Sequence, residues 1–276
     1  LKPLVVLFIP VISISIYKMM SKVMLGQFST VTQVGYYANA EKLVNLPNNI
    51  ITALGTVMLP RISYLVANRD NDTTNRYTTI SLTFISCIAP LMAFGIAGIA
   101  PELTVAFYGN EFIGSGSILK ILSFTVIAAA LATVIRTQFL IPNEKDKLYI
   151  IAVGTGAVLN FVFNLITIPK YGAFGAAIGT VLAEITVAII QLVGSWGKIL
   201  YKEYFINTIC YSVIGTVMYI CLRLISGKIN NLILTIGVQV VLGMCIYGVL
   251  SVIYIMIRSK KNARELLFDF KKTIKS

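Results

Sequence analysis

The chain has 276 residues, 57% of them hydrophobic and only 12% charged, with a formal net charge of +12 and a mean hydropathy of +0.84. Soluble domains carry about 25% charged residues, and no soluble core hides this much apolar surface, so the composition excludes a soluble domain. Histidine is absent, and Cys87, Cys210, Cys221 and Cys245 fall inside apolar runs without CxxC spacing, a pattern that argues against a metal site or a disulfide framework; no cofactor is expected. The first residue is Leu, and no cleavable signal with a basic start and small-residue cleavage site appears. The expectation is a piece of a longer protein.

With about 20 residues per crossing, eight apolar stretches in chain order fall at 3–25, 38–66, 79–107, 117–141, 148–169, 173–196, 206–226 and 231–257. Turn-forming residues punctuate them: Gly26 to Gly35, Asn68 to Asp72, Gly109-Asn110, Pro142-Asn143, Pro169 to Gly172, and Gly227 to Asn231. Only helices suit this pattern, because open strands in lipid leave backbone groups unpaired and the alternation of a barrel is missing. The fold expected is an all-α integral membrane protein of eight transmembrane helices.

Lysine and arginine set the expected orientation. Placing the C-terminal tail in the cytoplasm puts Lys2, Arg69, Arg76, Lys145, Lys147, Lys198 and Lys202 on that side, and both ends of the chain with them. Lys170 and Lys228 lie outside, and Lys18, Lys22, Lys42, Lys120 and Arg223 also sit towards the outer side, which weakens the bias. The tail carries Arg258, Lys260, Lys261, Arg264, Lys271, Lys272 and Lys275. Such a basic segment beside a crossing attracts anionic head groups of membrane lipids; no soluble module is present to bind nucleic acid.

The second crossing holds the most informative pattern. At about 100° of rotation per residue, Glu41, Asn45, Asn48, Thr52, Thr56 and Ser63 fall on one side of the helix. One polar residue there would suggest hydrogen bonding between helices, whereas six in register with a carboxylate point to the wall of a wet cavity. Arg61 points the other way and snorkels. On the first crossing Lys18 and Lys22 are four residues apart and share a face. Turned towards the Glu41 stripe, they would give the outer half of the cavity a net positive charge that draws an anionic substrate; otherwise they snorkel to the outer head groups.

The later crossings repeat the theme. Asn160, Asn164 and Thr167 share a face of the fifth, and Thr180, Glu184, Gln191 and Ser195 share one of the sixth. An intramembrane carboxylate such as Glu184 marks a functional site, with ion coupling and a structural pairing to Arg136 both open. Gly172, Gly175 and Gly179 allow close helix packing, and Pro47, Pro60, Pro90 and Pro101 bend or interrupt crossings.

The segments LKPLVVLFIPVISISIYKMMSKVMLG (1–26), VGYYANAEKL (34–43), LPRIS (59–63), FYGNEF (107–112), QFLIPNEKDKLY (138–149) and NLITIPKYGAFGAAIGTVLAE (164–184) together resemble the second half of a polysaccharide-type, Wzx-like flippase. That group belongs to the multidrug/oligosaccharidyl-lipid/polysaccharide exporter superfamily, which includes MATE transporters. The resemblance covers roughly residues 1–200. It implies a MATE-like six-helix C-terminal lobe over 1–200 and two added helices with a basic tail over 201–276, the first lobe lying outside this chain. It further implies a non-enzymatic transporter of the bacterial cytoplasmic membrane that flips an undecaprenyl-pyrophosphate-linked oligosaccharide repeat unit by alternating access. The partners so implied are the missing lobe, the lipid-linked oligosaccharide, membrane lipids, a polysaccharide polymerase and a chain-length regulator. Lys18, Lys22 and Arg136 become candidate anion contacts, Glu41, Asn45, Asn48, Thr52, Asn160 and Asn164 candidate cavity residues, and Glu184, like Glu41, a candidate coupling or gating carboxylate.

Three other transport or enzyme readings share some of these features. A multidrug–cation antiporter would show more acidic and aromatic cavity residues, and a lipid II-type flippase shares nearly all the physics. A membrane polymerase or ligase needs a large catalytic loop, for which no connection is long enough. A non-transporting scaffold leaves the six aligned polar residues unexplained.

Overall fold

The computed structural model describes residues 19–229 and 231–275, with side chains described through residue 259. The described chain is helical from end to end. A helical segment over 19–28 (α1) leads to α2 (Val31–Ala67), α3 (Asn71–Tyr108), α4 (Ile113–Leu122), α5 (Thr125–Ile135), α6 (Asp146–Tyr171), α7 (Ala173–Gly194), α8 (Lys202–Ile225) and α9 (Leu232–Lys275). Six of these are long and apolar enough to cross a membrane, and the α4–α5 pair makes a seventh as a crossing bent by 45°.

Local chemistry explains the boundaries. Thr30 caps α2 by accepting the Gln33 N–H at 3.3 Å, so this helix begins inside the stretch expected to be a connection, Gly26 to Gly35. Four prolines sit within α2 and α3 without ending them, as membrane helices permit. At 37 and 38 residues, both helices exceed the roughly 20 that span the apolar layer. Asp70 caps α3 through the Thr73 N–H at 3.0 Å.

The expected crossing at 117–141 is not one helix. It breaks between α4 and α5, and after α5 the backbone widens into a π-helical turn over Arg136–Leu140. Neither feature carries a proline or glycine at the break. Of the eight expected crossings, the first lies mostly outside the described residues, and the other seven coincide with α2, α3, the bent α4–α5 pair, α6, α7, α8 and α9.

The bent pair occupies the centre: Leu119, Leu122, Val126, Ala130, Val134 and Ile135 are all buried. Around it, α6 and α7 form a hairpin closed by small residues. A Cβ on Gly175 would lie 2.9 Å from the Thr167 backbone, so only glycine allows this approach. Gln33 of α2 accepts the first N–H of α7, that of Ala173, at 3.0 Å, tying the start of one helix to the next. α8 and α9 pack on α3 through Tyr211, Met218, Leu222 and Tyr247, and the Tyr247 hydroxyl donates to the Cys87 carbonyl at 2.6 Å. Outer faces carry exposed Val57, Val158, Ile166, Ile209 and Leu224, the apolar surface that lipid covers.

Candidate functional site

Five of the polar residues singled out in the sequence, Asn48, Thr52, Arg136, Glu184 and Gln191, meet in one cavity of about 140 Å3. Asn48 and Thr52 come from α2, Arg136 from the first residue of the π-helical turn, and Glu184 from α7. Tyr149 of α6, Gln191 of α7 and Thr133 of α5 complete the polar wall. Gly55 permits the approach of α2: a Cβ there would lie 2.9 Å from the Thr133 methyl and 3.1 Å from both branches of Thr137. Arg136 donates to the Tyr149 hydroxyl at 3.3 Å and stands 5.8 Å from its ring centre, so the tyrosine holds the guanidinium against the cavity wall. Arg136 opens the π-helical turn, whose extra residue redirects the side chains that follow it.

The upper part of the α2 stripe behaves differently. Glu41 pairs with Lys22 of α1 at 2.9 Å, so Lys22 does not add net positive charge to a cavity. That ion pair turns the Lys22 face of α1 towards the Glu41 stripe. Lys18, the other lysine of the expected pair, lies outside the described residues. Asn45 is half-buried and lies outside the cavity lining. Thr56 is exposed and spends its hydroxyl on the Thr52 carbonyl of its own helix at 3.0 Å.

Asn160 and Asn164 do not line this cavity either. Both are fully buried: Ser21 donates to Asn160 Oδ1 at 3.2 Å, and Asn164 Nδ2 donates to Ser21 Oγ and to Asn160 Oδ1, each at 3.1 Å. The physical reason is packing: α1 lies directly on this face of α6, and neutral amides joined to a hydroxyl make a polar seam between helices. Beside it the hydroxyls of buried Tyr37 and half-buried Thr180 bond at 2.8 Å, joining α2 to α7. Ser21, Tyr37 and Tyr149 escaped the sequence reading because single hydroxyls and aromatics are ordinary in membrane helices.

A second recess lies on the other side of α2. It is an apolar groove of about 360 Å3 between α2, α3, α8 and α9, lined by Leu46, Pro47, Ile50, Met92, Met218 and Met244 among others. Leu46 and Ile50 lie roughly opposite Asn48 and Thr52 around the helix, so α2 is the partition between a polar cavity and an apolar trough.

A multi-pass helical membrane protein with a cavity that gathers polar and charged side chains from several helices has the architecture of a transporter. The family profile of the lipid II flippase MurJ matches residues 2–260. The chain belongs to that family. A protein of Shigella dysenteriae named for O-antigen transport is 22% identical over 185 residues, covering 67% of this chain and 46% of that protein. Another from Haloferax volcanii, named as a flippase of low-salt glycan biosynthesis, is 25% identical over 246 residues, covering 88% of this chain and 51% of its own length. The chain therefore spans about half the length of these relatives. A solved structure of lipid II flippase MurJ, in an inward closed conformation, superposes with a TM-score of 0.75 at 17% identity, covering 90% of this chain and 52% of that one, and so shares the fold. These findings agree with the resemblance to a Wzx-like flippase.

Proposed function

We propose that this chain is the C-terminal half of a flippase that carries an undecaprenyl-pyrophosphate-linked oligosaccharide repeat unit across the bacterial cytoplasmic membrane by alternating access. The observation that carries the reading is the position of α2 between a polar cavity and an apolar groove. A lipid-linked glycan needs both surfaces at once, because its head must leave water-like surroundings gradually while its chain stays in an apolar medium. In this scheme Arg136 and Glu184 are the charged groups that meet the head, and Glu184 is the coupling carboxylate. Residues 1–200 form the transport lobe, 201–276 the added pair with its basic tail, and both ends face the cytoplasm.

The family profile also supports a second cargo, lipid II, whose handling would need the same two surfaces. One experiment separates the two: delete the whole gene and identify the undecaprenyl-linked intermediate that accumulates. An accumulated oligosaccharide repeat unit supports the proposal. Accumulated lipid II replaces it with the second reading, and no accumulated lipid-linked sugar removes both.

A further inference from the structure

Gln191 reaches the cavity from the last turn of α7 and is almost completely buried, 1% exposed. Its Oε1 has no hydrogen-bond partner among the described residues, and neither does Asn48 Oδ1 on the facing helix. A third oxygen joins them, because Thr52 donates its hydroxyl proton to the Asn48 carbonyl at 2.8 Å and keeps its lone pairs for another group. Asn48 Oδ1 and Gln191 Oε1 are thus the two buried side-chain acceptors in this lining that lack a donor among the described residues. Buried acceptors without donors are costly, and these two face a cavity that a proton-donating ligand can enter.

We infer that this acceptor cluster, centred on Gln191 and Asn48, is a subsite for the hydroxyls of one sugar ring of the cargo, not for its pyrophosphate. The inference rests on the transport reading above and assigns a part of the cargo to a part of the site. Phosphoryl oxygens at neutral pH are acceptors only, so they find no complement in carbonyl oxygens, whereas each sugar hydroxyl can donate. Charge points the same way: the lining holds one guanidinium, engaged with Tyr149, and one carboxylate, so it does not form a concentrated anion trap. Size agrees as well. At about 140 Å3 the cavity falls below the roughly 300 Å3 at which pockets for whole ligands begin, and it suits a single ring.

The test uses the intact two-lobed protein in detergent and two probes, the lipid-linked oligosaccharide extracted from the deletion strain and sugar-free undecaprenyl pyrophosphate. Gln191→Leu is expected to weaken binding of the glycan lipid about tenfold, the scale of one or two lost hydrogen bonds, and to leave the sugar-free lipid unchanged. Asn48→Leu, on the opposite wall, makes the same comparison independently of any folding defect at Gln191. Equal loss on both lipids, or no loss on either, overturns the assignment. A wild-type protein that fails to bind the glycan lipid removes the transport reading itself, a result that the variants alone cannot produce.

Discussion

Lys22 Nζ lies 2.9 Å from a carboxylate oxygen of Glu41, joining α1 to α2 at the end of the polar stripe away from the cavity. The lysine side chain is 37% exposed and the glutamate 14%, so solvent screens the pair and its worth is that of an exposed ion pair, about 0.2–1 kcal/mol. Glu41→Gln and Lys22→Met should each lower the melting temperature slightly, and the double variant should lose less than the sum of the two. A double-mutant cycle by thermal unfolding measures this coupling. Strict additivity would mean that the two charges do not interact, and would return Lys22 to the pool of cations available to substrate.

The seam at Asn164 makes a larger prediction. A Cβ on Gly179 would collide with Asn164 Oδ1, and the asparagine, held by Ser21 and Asn160, cannot swing away. Gly179→Ala should therefore cost about 1–3 kcal/mol, the scale of overpacking in a filled interior. Asn164→Ala should cost a similar amount by removing two buried hydrogen bonds, and it should relieve the alanine clash, so that Gly179→Ala is milder in the Asn164→Ala background. Thermal stability of the four proteins decides it, and an unchanged Gly179→Ala penalty in that background would rule out Asn164 as the obstruction.

How far this site was legible in the sequence depended on what each side chain faces. The α2 stripe could be read because helical period alone gathers Asn48 and Thr52 on one side. Whether a polar side faces water or a neighbouring helix is set by the partner, and the same periodicity at Asn160 and Asn164 describes a helix–helix seam because α1 covers it. Arg136 was visible as an intramembrane cation, but the π-helical turn that begins at it was not, since Arg136–Leu140 holds no glycine or proline. The break before Thr125 is silent in the same way, so the bent central crossing read as one straight helix. Crossing positions were robust because twenty consecutive apolar residues leave lipid few alternatives.

Asp70 lies in the turn between α2 and α3, outside the crossings. Hydrogen bonds from the side chain and then the backbone N–H of Thr73 hold its carboxyl below the usual carboxylate range. A folded-state value below the unfolded one stabilises the fold at pH above the unfolded carboxylate's titration, near about 3.9. That contribution fades as pH falls through the lower, folded value. Wild-type protein should therefore melt above Asp70→Ala at neutral pH, with the gap narrowing in acid. Melting curves for both across that range provide the measurement; a gap independent of pH would place the effect in the turn's shape alone.

At the far end of α9, Arg258 binds Asn207 and Glu203 of α8 and donates to the Tyr254 hydroxyl at 2.6 Å, while Tyr254 itself donates to Asn207 Oδ1 at 2.8 Å. Asn207 is buried and the Glu203 side chain is 56% exposed, so the two partners should not weigh equally. Removing Asn207 leaves a tyrosine hydroxyl and a guanidinium without their shared acceptor in a low-dielectric setting, a loss of about 1–3 kcal/mol. Removing Glu203 deletes an exposed charge worth well under that. Asn207→Leu should thus speed amide hydrogen exchange at the start of α8 and around Tyr254, where the two helices are pinned, and Glu203→Gln should leave that exchange nearly as in the wild type. The reverse order would show that the ion pair, not the buried amide, fastens α9 to α8.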